Sequence, residues 1–228
     1  GDSLRFSNYG AYPKQFPVSG RERRSHSARL MPTVMSRITD PIEIRALLET
    51  DRAWSVYALG DLAPGFFDKC EWYCASTDAQ ALLLLYRAFE TPVLLTHGIA
   101  DGVRPLLDEI ANERALYLSI KPEILPLVKA LWSVEHETAM WRMTVGPSAF
   151  RPPSTENVER LTLVDLHDLR RLYDDGQSTG EAPDFFYPAM IDQGLFFGIR
   201  ENGALAAAAG THLVTPSEGV GAVGNVYV

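Results

Sequence analysis

The chain has 228 residues, 46% hydrophobic and 22% charged, a globular balance with length for one large or two modest domains. A net charge of −8 and a pI near 5.1 argue against a general nucleic-acid binder, which needs a basic surface. Two cysteines argue against a disulfide scaffold and point to a reducing cytoplasm. No apolar run approaches the roughly 18 residues of a membrane span.

Residues 1–34 carry Gly10, Pro13, Pro17, Gly20, Pro32 and the basic cluster Arg21-Glu22-Arg23-Arg24, with no helical or strand period. They lack the continuous apolar core of a signal peptide. They are expected to be disordered, a leader or tag remnant with Met31 or Met35 as natural start. A basic arm for an acidic partner is the other reading.

From Met35 the pattern becomes globular. Thr39-Asp40-Pro41 predicts a capped helix start, with Ile42, Leu47 and Leu48 along one side up to Glu49. A second helix is expected over Ala53 to Leu59. Strands follow at Glu71 to Ser76, Ala81 to Phe89 and Val93 to His97. Asp101 to Glu113 has helical spacing, Ala115 to Ile120 reads as a strand, and Pro122 to Leu131 as a helix. Trp132 to Val145 is expected to supply one or two more strands. Pro147 to Ser154, with Pro152-Pro153, predicts a linker.

Beyond the linker the spacing predicts a strand from Glu159 to Val164, a helix from Asp165 to Asp174 and a second helix from Pro183 to Asp192. A three-stranded meander then closes the chain. Leu195 to Arg200 leads through Glu201-Asn202-Gly203, a favoured hairpin turn, into Ala204 to Val214. Thr215-Pro216-Ser217-Glu218-Gly219 turns it again into Val220 to Val228. The last two strands are rich in small residues, Ala206 to Gly210, then Gly219, Gly221, Ala222 and Gly224. Such strands let another backbone or a ligand come close.

That order of elements, ending Asn225-Val226-Tyr227-Val228, resembles the first half of a GCN5-related N-acetyltransferase (GNAT) domain. The resemblance implies an α+β fold (an α/β/α sandwich), a mixed and mostly antiparallel sheet flanked by helices. It divides the chain into a degenerate GNAT-like half over 35–146 and an incomplete second half over 155–228. The family's Arg/Gln-x-x-Gly-x-Gly/Ala loop, whose helix amides hold the coenzyme A pyrophosphate, would follow Val228 and lies outside the sequence.

The implied activity is acyl-CoA-dependent N-acyl transfer, with acetyl passing from acetyl-CoA to a small-molecule or peptide amine by direct attack in a ternary complex. Coenzyme A binding is expected to be weak without the phosphate loop. By resemblance, the backbone of Val226, Tyr227 and Val228 pairs with the pantetheine arm and polarises the thioester carbonyl. Phe185, Phe186 and Tyr187 would frame the amine, core packing being the competing reading. The alternative is a non-catalytic interaction or regulatory module, with a homodimer through the exposed edge of the last strand.

Amine attack needs a proton acceptor, and His212 on the penultimate strand has the right range. A surface strand-end histidine is the plainer reading. Asn225 could bind substrate or order a water but cannot be a base. Gly98-Ile99-Ala100-Asp101-Gly102 joins a strand to a helix, where Asp101 would cap the helix and repel a phosphate. Cys70 and Cys74 read as free thiols, and no metal site is expected. Glu135-His136-Glu137 and the set Asp165, His167 and Asp168 read as solvated faces.

Overall fold

A computed structural model describes residues 34–76, 80–146, 148–177, 182–183 and 186–228. The expectations for residues 1–33 and for Phe185 lie outside the described residues. The chain is α+β, with mostly antiparallel sheets flanked by helices, and its described residues divide into two compact units, 34–139 and 140–228. The predicted linker falls inside the second unit. Among the described residues no helix is long and apolar enough to cross a membrane.

The first unit is a five-stranded sheet in sequence order. Strands β1 (Val34–Ile38), β2 (Cys70–Ser76), β3 (Ala81–Tyr86) and β4 (Val93–His97) pair antiparallel. Strand β5 (Tyr117–Ser119) then lies parallel to β4. A parallel neighbour requires a crossover, supplied by α3 (Ala100–Glu109). Every residue of β3 and β4 is buried, which is why Ala81 to Tyr86 reads as an unbroken apolar run. Leu83, Leu85 and Leu94 pack with Val103, Leu106 and Leu107 of α3 and with Leu127 and Val128 of α4 (Leu125–Leu131).

Helix α1 (Pro41–Leu48) begins as expected, with the Asp40 carboxylate accepting from the Ile42 N–H at 2.8 Å. Its buried face differs. Ile44 and Leu48, four apart, face the core, and Ile42 is 72% exposed. Helix α2 is one turn, Val56–Gly60. The strands expected over Trp132 to Val145 do not form; within that stretch the backbone pairs only at Trp132 and Arg142. Glu135, His136, Glu137 and Thr138 are exposed, so this stretch has no apolar face to drive a ladder.

The second unit is a four-stranded antiparallel sheet in the order β9-β8-β7-β6, from β6 (Val158–Arg160), β7 (Phe196–Glu201), β8 (Ala204–Thr215) and β9 (Val220–Tyr227). Helices α5 (Leu166–Gln177) and α6 (Ala189–Gln193) carry Leu169, Tyr173, Met190 and Ile191 into a core with Phe196, Leu205 and Ala208. Phe197 and Ile199, alternating with the buried residues of β7, are exposed. The β7–β8 turn is as read: Asn202 and Gly203 take φ of 50° and 81°, both left-handed.

Two boundaries moved. The strand expected to reach Val164 pairs only to Arg160, because Thr162 and Asp165 form a capping box that turns the chain into α5. The helix expected from Pro183 shrinks to α6, five residues beginning after Pro188.

Candidate functional site

The β8–β9 pair carries two β-bulges. Leu213 pairs with Ala222 and Thr211 with Val223, which places His212 at the first bulge, on β8. Gly210 pairs with Gly224 and Ala208 with Tyr227, so Asn225 and Val226 together face Ala209. A bulge re-aims the side chains beside it. Asn225 accordingly takes φ of 51°, a region asparagine tolerates better than most residues.

The two bulges bring His212 and Asn225 together. The His212 imidazole lies against Gly224, where any Cβ would collide with its ring. Asn225 is 5% exposed, and its Nδ2 reaches Met190 Sδ at 3.8 Å. Its main-chain oxygen accepts from the Tyr173 hydroxyl at 2.8 Å. Its Oδ1 is buried with no hydrogen bond of good geometry, an expensive state for an amide. The neighbour whose protonated form this oxygen favours is His212. Burial acts more strongly in the opposite direction and holds the imidazole below its ordinary value. His212 is therefore neutral at pH 7, half-buried and not a surface strand end.

The aromatic residues divide. Phe186 packs edge-on against Tyr173 at 5.3 Å and near Phe196 at 5.8 Å, inside the core of this unit. Tyr187 is exposed, and partial burial raises its hydroxyl. Tyr227 lies 6.4 Å from Tyr173 in an edge contact. Val226 points outward at 56% exposure, and Val228, at 89%, follows the end of β9. Two of the small residues read as a slot are filled by the chain itself, Gly210 by the Phe196 ring and Gly224 by His212.

The other candidates are structural. Asp165 and Asp168 do not face solvent alone; with Glu159 they surround the Arg200 guanidinium at 2.7, 2.6 and 2.5 Å. The Thr162 backbone N–H first, then Arg200, holds the Asp165 carboxyl below the usual range, and Arg200 does the same for Asp168. Cys70 and Cys74 are free, and burial pushes the Cys70 thiol far up, away from reactivity. Helix α3 begins after Ile99 without a side-chain cap, with Asp101 in its first turn. Among the described residues no group of three or more His, Cys, Asp or Glu side chains could hold a metal.

Sequence reasoning missed Tyr173 and Met190. Tyr173 stands four residues after Leu169 at ordinary core spacing, and only the bulged course of β9 brings Asn225 to its hydroxyl. Comparison of the chain with protein-family models, with curated proteins and with solved structures finds no match.

Proposed function

We propose that this chain is a GNAT-like acyltransferase module, and that unit 140–228 carries the acceptor side of an N-acyl-transfer site built on β9. The observation that carries the reading is the meeting of His212 and Asn225 at two bulges, one on β8 and one on the edge strand β9. The order of the first unit also supports it: four antiparallel strands, a crossover helix and one parallel strand.

In this reading an amine nitrogen attacks the carbonyl carbon of an acyl thioester such as acetyl-CoA. The carbon–sulfur bond breaks and the new bond is an amide. His212, neutral at pH 7, takes the amine proton and returns one to the departing thiolate. Asn225 Oδ1, buried beside His212 with no hydrogen bond of good geometry, receives an N–H of the acceptor. The irregular backbone at Val226 and Tyr227 supplies an N–H to the developing oxyanion.

Thiol release from acetyl-CoA and from S-acetyl-pantetheine, followed against a panel of primary amines, tests the proposal. Amine-dependent release is expected, falling by about 10²- to 10⁴-fold in His212→Gln. No release above background with any amine, or an unaffected variant, would overturn it.

The second reading is an interaction module that self-associates through β9. Residues 220–228 carry no charge, and Val223 is 72% exposed. Light scattering at tens of micromolar decides: a dimer abolished by Val223→Lys supports it, and a strict monomer removes it.

A further inference from the structure

The first unit holds a second histidine that the acyl-transfer reading does not use. His97, the last residue of β4, is buried, and both its ring nitrogens meet hydroxyls from residues 49–55, between α1 and α2. Nε2 lies 2.8 Å from Thr50 Oγ1 and Nδ1 lies 2.9 Å from Ser55 Oγ. The proton positions follow. Thr50 has one hydroxyl proton, and it is given to the Leu47 main-chain oxygen at 2.7 Å. Toward His97, Thr50 can therefore only accept, so Nε2 carries the hydrogen. Nδ1 is then the bare nitrogen and accepts from the Ser55 hydroxyl. One more bond ties the same segment to β4, from Trp54 Nε1 to the Thr96 main-chain oxygen at 2.7 Å.

We propose that His97 is an acid-released latch, pinning the 49–55 segment to β4 while its imidazole is neutral and letting that segment go when the ring takes a second proton. A proton on Nδ1 displaces the Ser55 hydroxyl proton from its acceptor, and Ser55 is fully buried. Among the described residues the new charge also has no carboxylate bonded to it, and Asp51 acts on it only through space. The charged groups facing His97 are Asp51, which favours its protonation, and Lys121, which opposes it. Those two are bonded to each other at 2.7 Å, and Lys121 lies 5.4 Å from the centre of the Trp54 ring. Helix α2 is Val-Tyr-Ala-Leu-Gly and the β3 residue paired with His97 is Leu82, so neither element adds a charge. Burial, the largest influence on His97, favours the neutral ring.

The sign is fixed by that preference. Above about pH 6.5 the ring is neutral whether the segment is closed or open, and closure is at full strength. Below 6.5 only the open form takes up the proton readily. Opening therefore grows about tenfold per pH unit until the closed form protonates as well. Hydrogen exchange on the full chain reads this directly at the Ser55 amide, which bonds the Asp51 main-chain oxygen at 2.9 Å. Between pH 6.5 and 5.5 its protection factor is expected to fall, by up to about fivefold, with the β3 amides unchanged. His97→Gln keeps a donor and an acceptor but cannot titrate, and should abolish the fall. Ser55→Ala leaves Nδ1 without its donor and should move the His97 titration, followed by NMR, up toward 6.5. Constant Ser55 protection, an equal loss across β3, or a titration unmoved by Ser55→Ala would each overturn the latch.

Discussion

At the scale of single residues, Gly224 and Gly221 make a controlled pair. Both lie on β9, but a Cβ on Gly224 meets the His212 ring, whereas one on Gly221 finds only the Leu213 main-chain oxygen at 3.7 Å. Gly224→Ala must displace the imidazole and should cost about 1–3 kcal/mol, as overpacking does. Gly221→Ala should stay within about 0.5 kcal/mol. Urea unfolding of the two variants measures the difference, and equal midpoints would mean that His212 does not rest on Gly224. The same histidine sets a pH dependence. Its folded pKa is lowered, chiefly by burial, so its contribution to stability is complete above the unfolded value of about 6.5. It is lost as pH falls from there toward the folded value, by at most about 1.4 kcal/mol per unit. His212→Gln should therefore lose less stability between pH 7.5 and 5.5 than the parent. His97 adds a dependence of the same sign in both proteins, because its shift is also downward.

At the scale of elements, local chemistry explains which features the sequence disclosed. The Asn202-Gly203 turn was readable because positive φ at two successive positions is a demand that two adjacent residues meet by themselves. Gly203→Val should accordingly destabilise the β7–β8 hairpin by about 1–2 kcal/mol, measured as a lowered midpoint in chemical unfolding. A neutral result would show that the turn relaxes to another type. The Asp40 cap was readable for the same reason of proximity. The bulges were not. Each is a mismatch between two strands, set by packing against α5 and α6, and nothing near His212 or Asn225 in sequence announces it. Hence both residues stood out by type, while their meeting and the Tyr173 bond beneath them did not. The Thr50–His97–Ser55 chain was hidden likewise, its members 42 to 47 residues apart.

For the molecule as a whole, the α+β class was legible in the order of the elements, but the place where one unit yields to the next was not. Pro152-Pro153 marks a break in local structure, whereas the division after residue 139 reflects which residues share a core. The two cores can be probed separately. Leu83 is fully buried in the first and Leu169 in the second, and the clusters around them have no residue in common. Truncation to alanine should cost about 2–5 kcal/mol at either site, from lost transfer energy and a residual cavity. Hydrogen exchange then reports where that cost is felt. Leu83→Ala should lower protection in β3, β4 and α3, and Leu169→Ala in α5, β7 and β8, each sparing the other set. If either substitution loosened both sets equally, the units would open as one cooperative body. The acid sensitivities of His97 and His212 would then report the same event, where separate cores make them two.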